Sequence, residues 1–146
     1  MIRRLARDEG GAAVVEFAFV LPVFLVLIAG LYDGARFLTA ELQVHEAAQA
    51  GAAWAAANGW DADGITQAVA RGAPIAAASN PAPMLIHGCV RANAISAPDK
   101  KGDCPANEPV GSFVVVNAQA PFTPMAPGFG GVWPASLAAQ ATVRIP

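Results

Sequence analysis

The sequence is poor in the residues that build catalytic sites. It has two histidines, two cysteines and one tyrosine among 146 residues, and charged residues make up only 14% of it. It contains none of the P-loop, GxSxG, HExxH or GxGxxG patterns. Its net charge is −2, and it lacks the clustered Lys and Arg that neutralise phosphates. We therefore expect a protein that is not an enzyme, with no catalytic residue, no cofactor and no nucleic acid partner.

The longest apolar run covers residues 12–31 and contains one charged residue, Glu16. At about 1.5 Å per residue, a helix of this length matches the roughly 30 Å hydrocarbon core of a bilayer. Arg3, Arg4 and Arg7 precede the run, and such basic flanks tend to stay cytoplasmic. We expect a single membrane span with a cytoplasmic N-terminus and an exported C-terminal part. An ordinary cleaved signal peptide is the alternative, although its apolar part is usually shorter.

The helical pattern continues beyond the apolar run. The segment from Tyr32 to Ala57 contains no proline, and its apolar and polar residues fall on different helical faces. Asn58-Gly59 is a suitable stop signal. The sequence therefore predicts one helix from Ala12 to about Ala57, which Pro22 can bend.

The rest of the chain predicts a short helix and a small sheet. Asp61 or Asp63 is placed to cap a helix ending near Gly72; a calcium loop is disfavoured because its later ligands are missing. Alternating and β-branched runs then predict strands at Met84–Arg91, Ser112–Ala120 and Leu137–Ile145. The predicted fold class is α+β, with a long transmembrane helix, a short second helix and an antiparallel β-sheet of about three strands.

Cys89 and Cys104 both lie in the part that we expect to be exported, where disulfides persist. We predict that they form a disulfide, which would stabilise the fold by about 3 kcal/mol in the chain-entropy model. Two unrelated buried thiols are the alternative. A metal site that adds His87 and Glu108 is disfavoured, because zinc ligands usually occur in closely spaced pairs.

The most informative motif is Gly11-Ala12-Ala13-Val14-Val15-Glu16-Phe17. A basic leader ends in glycine and a small residue follows, and the fifth residue after the glycine is a glutamate with an aromatic neighbour. This motif resembles the cleavage signal of type IV prepilins in its Tad/Flp version. Residues 11–36 resemble the N-terminus of the TadE-like family nearly throughout. Residues 114–124 and 136–146 resemble the C-terminal strands of that family.

The resemblance implies a pilin-like fold and a role as a minor pilin or pseudopilin of a Tad-type (Flp) pilus, needed for pilus biogenesis and surface adhesion. Prepilin peptidase would cut between Gly11 and Ala12. The implied parts are a cytoplasmic leader (1–11), an inner-membrane helix (12–31), its periplasmic extension (32–59) and a small periplasmic α+β domain (60–146). The implied partners are the inner membrane, prepilin peptidase and other Tad pilus components.

Glu16 and Phe17 are the residues that we expect to act in assembly. A carboxylate inside a membrane costs about 2.5–3.5 kcal/mol on insertion scales and usually has a partner. Cleavage would create an ammonium group on Ala12, one helical turn away. Glu16 would neutralise that amine or the amine of an adjacent subunit, which resembles type IV pilin assembly. The alternative is that Glu16 lies among the lipid headgroups and only ends the anchor.

Two further features are candidates for contact surfaces. Gly30 and Gly34 have the small-xxx-small spacing that permits close helix packing, although chance in a Gly/Ala-rich chain explains it equally well. The loop that holds Phe122, Phe129 and Trp133 is a candidate partner-facing surface, although packing over the sheet is the favoured role for any one of these aromatics. At the level of function, the alternatives are an uncleaved, signal-anchored periplasmic binding or scaffold protein and, less favoured, a small exported enzyme.

Overall fold

The structure is a computed structural model and describes residues 9–75, 81–91, 94–96, 104, 110–125 and 131–146. Its helices are α1 (Glu9–Asn58) and α2 (Ala62–Gly72), and its strands are β1 (Met84–Arg91), β2 (Ala94–Ser96), β3 (Gly111–Pro121) and β4 (Ser136–Ile145). The described strands form an antiparallel sheet in the order β2-β1-β3-β4. The α+β fold class with a long N-terminal apolar helix is confirmed.

Helix α1 is continuous over 50 residues, and Pro22 lies inside it without ending it. At about 1.5 Å per residue it is roughly 75 Å long. The helix also includes Gly10 and Gly11, which precede its predicted start at Ala12. A glycine costs about 1 kcal/mol in a helix. Adding a turn to an existing helix needs no new nucleus, however, and the apolar run supplies that helix.

The end of α1 and the start of α2 follow the predicted signals. Gly59 adopts a φ of 82°, which favours glycine, and its N–H donates to the carbonyl of Ala55 at 2.9 Å. Asp61, not Asp63, is the N-cap of α2, and its side chain accepts from the N–H of Asp63. Ile65 of α2 is buried against the helix and sheet. The two helices therefore form a tight hairpin.

Small residues bring α1, α2 and the sheet together. The core consists mostly of alanine and valine side chains, among them Ala47, Ala48, Ala52, Ala55, Val69, Val114, Val116 and Ala118. A Cβ added at Gly51 would lie 2.6 Å from Cγ2 of Val69 and 2.8 Å from Cγ1 of Val116, closer than real Cβ contacts occur. The small residues of α1 thus allow an approach that a larger side chain would prevent.

Strand β3 is central and crosses the buried face of α1. It pairs with β4 from Ser112↔Ile145 to Pro121↔Ser136 and with β1 on its other side. Strand β2 is additional to the predicted strands and pairs with the end of β1. Because α1 also packs on β4, the sheet holds the domain against the second half of this helix.

Candidate functional site

The first half of α1 is an uncovered apolar helix. The helix is long and apolar enough to cross a membrane by length and composition, and none of its most apolar 18-residue window is buried. Apolar side chains such as Phe17, Phe19, Leu25 and Leu27 are exposed around it. A helix that is apolar on all sides and uncovered by protein suits a lipid environment. These properties fit a single-pass membrane protein.

The predicted cleavage and assembly residues lie in the first two turns of this helix. A Cβ added at Gly11 would meet nothing within 4 Å. Glu16 is exposed, and among the described residues no group hydrogen-bonds or ion-pairs with it. The structure therefore places Gly11 and Glu16 close together on one helix, and the described part of a single chain supplies no counter-charge for the carboxylate.

Asp33 is a buried carboxylate whose role the sequence did not reveal. Its residue exposure is 0%. Its Oδ1 accepts from Nη1 of Arg36 at 3.2 Å and from the N–H of Met125 at 3.0 Å. Nη1 of Arg36 also donates to the carbonyl of Thr123 at 3.3 Å. We call these contacts the Asp33 clamp, and they join α1 to the segment that follows β3.

Three aromatic rings pack beside the Asp33 clamp, and we call Phe37, Phe122 and Trp133 the aromatic cluster. Ring centroids lie 5.4 Å apart for Phe37 and Phe122 and 5.0 Å apart for Phe37 and Trp133. Cζ of Arg36 lies 5.8 Å from the Phe122 centroid, within cation–π range. Phe122 is only 6% exposed. Phe122 is therefore a packing residue, the role favoured for any single aromatic of this loop, and its ring packs against α1; Phe129 lies outside the described residues.

A groove of about 760 Å³ runs along α1 next to the aromatic cluster, lined by helix residues between Val26 and Leu38 and by Trp133. Gly30 and Gly34 both line it. A Cβ at Gly34 would lie 3.6 Å from Cη2 of Trp133. Gly34 therefore faces an aromatic ring of its own chain. Packing of Gly30 and Gly34 against another helix stays a prediction.

The disulfide predicted from the sequence is present. Cys89 and Cys104 are bonded, their Cα atoms lie 5.6 Å apart, and both residues are buried. Cys89 also pairs with Ser96 across β1 and β2. The bond therefore ties Cys104 to the edge of the sheet at which β2 lies.

The sheet brings together one pair of groups that the sequence did not predict. Ser112 Oγ lies 3.2 Å from Nδ1 of His87, because the two residues face each other in the β1–β3 register. Within the described ranges no third group orients this imidazole, as nucleophile–base pairs usually require. Among those same residues there is also no group of three or more His, Cys, Asp or Glu that could hold a metal ion.

These features define a class: a protein with one membrane-type anchor helix that continues into a small α+β domain. The family model described as TadE-like protein matches residues 11–53. The anchor and most of α1 are therefore similar to that family, as the sequence motif indicated. No curated protein and no solved structure matches the chain, and the resemblance of residues 114–124 and 136–146 to the family's strands stays a prediction.

Proposed function

We propose that this protein is a minor pilin, or pseudopilin, of a Tad-type (Flp) pilus, needed for pilus biogenesis and surface adhesion and processed by prepilin peptidase after Gly11. The observation that carries the proposal is the family match, which begins at Gly11 and runs along α1. The match thus starts at the residue after which the motif predicts cleavage. The proposed location is the inner membrane, with the N-terminus cytoplasmic and the domain periplasmic.

The exposure of Glu16 supports an assembly role. A carboxylate on a lipid-facing helix is costly without a partner, and no described residue of its own chain pairs with Glu16. A cleaved chain would gain an ammonium on Ala12, and a neighbouring subunit would bring the same group. In the proposed assembly, Glu16 binds the amine of an adjacent pilin-like subunit, and Phe17 lies next to that contact.

Helical structure at Gly10 and Gly11 adds a step to processing. A peptidase binds its substrate as an extended backbone, so the first turn of α1 must unwind before cleavage. Glycine lowers the cost of that unwinding, because it favours the helix about 1 kcal/mol less than alanine. The same glycines leave the scissile bond free of side chains.

The length of the chain supports a minor component. The resemblance implies that the Tad/Flp shaft is built from very short pilins, little more than one helix. This chain carries α2 and four described strands beyond α1. A domain of that size on every subunit would not suit a thin, helix-packed shaft, and it would suit a priming or tip complex.

Intact mass tests the processing step. In a host with an active prepilin peptidase, we expect the mature chain to begin at Ala12. Gly11→Leu should block cleavage and leave the fold unchanged, since a side chain at Gly11 meets nothing within 4 Å. Gly131→Leu is the matched control, because Gly131 also has open space around it and lies far from the cleavage site in sequence.

A mature chain that keeps Met1 in that host would refute the processing step. It would favour the alternative, an uncleaved signal-anchored binding or scaffold protein of the periplasm. Counting copies in sheared pili tests the minor role separately. A trace amount, with pili lost on gene deletion, supports a minor pilin; a copy number near that of the short shaft pilin contradicts it.

A further inference from the structure

The lipid-facing surface of α1 extends beyond the apolar run. Between Glu16 and Glu41 the only charged residues are Asp33 and Arg36. The Asp33 clamp buries the carboxylate completely and pairs it with Arg36. A hydrocarbon core of about 30 Å corresponds to roughly 20 helical residues. A core that covers residues 12–31 therefore ends two residues before Asp33 and five before Arg36, so the clamp lies in the interfacial layer directly beyond the hydrocarbon.

Two segments of the domain reach this same level. The N–H of Met125 bonds to Asp33, and the ring of Trp133 lies against Gly34. Met125 and Val132 are each 68% exposed, the highest fraction among the large apolar side chains that the structure describes outside α1. No charged residue occurs in 121–125 or 131–135. We call Met125, Val132 and Trp133 the membrane-proximal tip.

The groove beside Trp133 extends from the apolar run of α1 to the part of α1 next to the domain. Its lining from Val26 to Leu31 lies on the apolar run, and its lining from Gly34 to Leu38 lies on the domain side. None of the lining residues is charged. Lipid acyl chains surround the part of the groove that lies inside the bilayer. They are therefore the groups that fill the groove.

We propose that the membrane-proximal tip inserts into the interfacial layer of the membrane that α1 crosses, with acyl chains in the groove beside Trp133. Tryptophan is enriched at this depth of a membrane, and Trp133 contributes its apolar ring surface there, since its Nε1 is buried without a hydrogen-bond partner among the described residues. The side chain of Arg36 is 37% exposed at the same level and places a positive charge where lipid phosphates lie. The domain is then held to the bilayer at two places, the membrane-spanning part of α1 and the membrane-proximal tip. The proposal depends on α1 crossing a membrane and does not depend on a pilus role.

A depth measurement on the full chain in lipid nanodiscs tests the proposal. Met125→Cys and Val132→Cys each add one reactive thiol, because Cys89 and Cys104 are bonded to each other. Each thiol carries an environment-sensitive fluorophore. Met84→Cys is the matched control, since Met84 is also an exposed methionine but lies in β1, opposite Val115 and distant from the clamp.

We expect a blue-shifted emission at Met125 and Val132 and about a twofold or greater loss of intensity with headgroup-labelled quencher lipids, as for groups 5–10 Å into the interface. The Met84 position should show neither change. Equal, water-like emission at all three positions would overturn the proposal. A blue shift without quenching by lipid also overturns it, because the tip would then be covered by protein, for instance by a helix of another subunit. Nanodiscs that each hold a single copy of the protein exclude cover by another subunit, so a blue shift there reports on lipid.

Discussion

The Asp33 clamp gives the sharpest prediction for stability. Asp33→Ala removes the acceptor of the Met125 N–H, a bond to a charged group in a buried place. Such bonds contribute about 1.5–3 kcal/mol. The pair with Arg36 adds little, because Arg36 is partly exposed and exposed helical pairs contribute only about 0.3–0.5 kcal/mol. From these two contacts we expect a loss of about 2–3.5 kcal/mol in the free energy of unfolding.

Thermal unfolding of the full chain in nanodiscs, followed by tryptophan fluorescence, measures this loss. At roughly 4 °C per kcal/mol for a domain of this size, Tm should fall by about 8–14 °C. Asp33→Asn should lower Tm by less than Asp33→Ala, because the amide oxygen of asparagine can still accept from the Met125 N–H. Glu41→Ala is the control on the same helix: Glu41 is exposed, and Tm should change by no more than about 2 °C for a surface substitution.

Hydrogen exchange at the Met125 amide reports on the same bond directly. In Asp33→Ala this amide should lose its protection, while the amides of β3 keep theirs. The reasoning would be refuted if Asp33→Ala changed Tm no more than Glu41→Ala does and if the Met125 amide kept its protection. The clamp would then not hold the domain to α1.

Three more predictions concern packing, assembly and the disulfide. Gly51→Leu should lower stability by about 1–3 kcal/mol or more through overpacking, whereas Leu at the exposed neighbour Ala53 should be tolerated; equal unfolding midpoints would contradict the close packing at Gly51. Glu16→Ala should leave cleavage and membrane insertion intact and reduce pilus assembly, and normal pili from that variant would favour the headgroup interpretation. In the exported protein, Cys89 and Cys104 should react with alkylating reagent only after reduction. Cys89→Ser should cost about 3 kcal/mol, and two thiols that react without reductant would refute the pairing.

Local signals predicted most of the secondary structure. Strand β1 has the predicted bounds, and β3 and β4 differ from theirs by a residue at one or both ends. The stop of α1 followed from Asn58-Gly59, because glycine readily adopts the positive φ that ends a helix. Strand β2 was missed because a three-residue strand is too short to show alternation. Its position comes from pairing with β1, which no local pattern encodes.

The candidate site was predicted less completely, because its key contacts join residues far apart in sequence. Asp33 and Met125 are separated by 92 positions, so an aspartate directly after an apolar run gave no sign of burial. Packing of Phe122 was expected over the sheet, but its contact with Phe37 of α1 was not predicted for the same reason. A clue was present in the spacing of Asp33 and Arg36, which places opposite charges three residues apart on a helix.

Helix α1 is unbroken from Glu9 to Asn58. A pulling force on its membrane end is therefore transmitted along the helix to the half that packs against the sheet. The contacts from Val44 to Ala55 lie side by side along that half of the helix. A pull along the helix axis must therefore slide many small contacts at once, whereas a sideways pull would open them one after another. At Gly51 the methyl groups of Val69 and Val116 lie so close to the helix backbone that they leave no room for a Cβ. This close packing opposes sliding along the helix axis. The domain is therefore held more firmly against a pull along the helix axis than against a sideways pull.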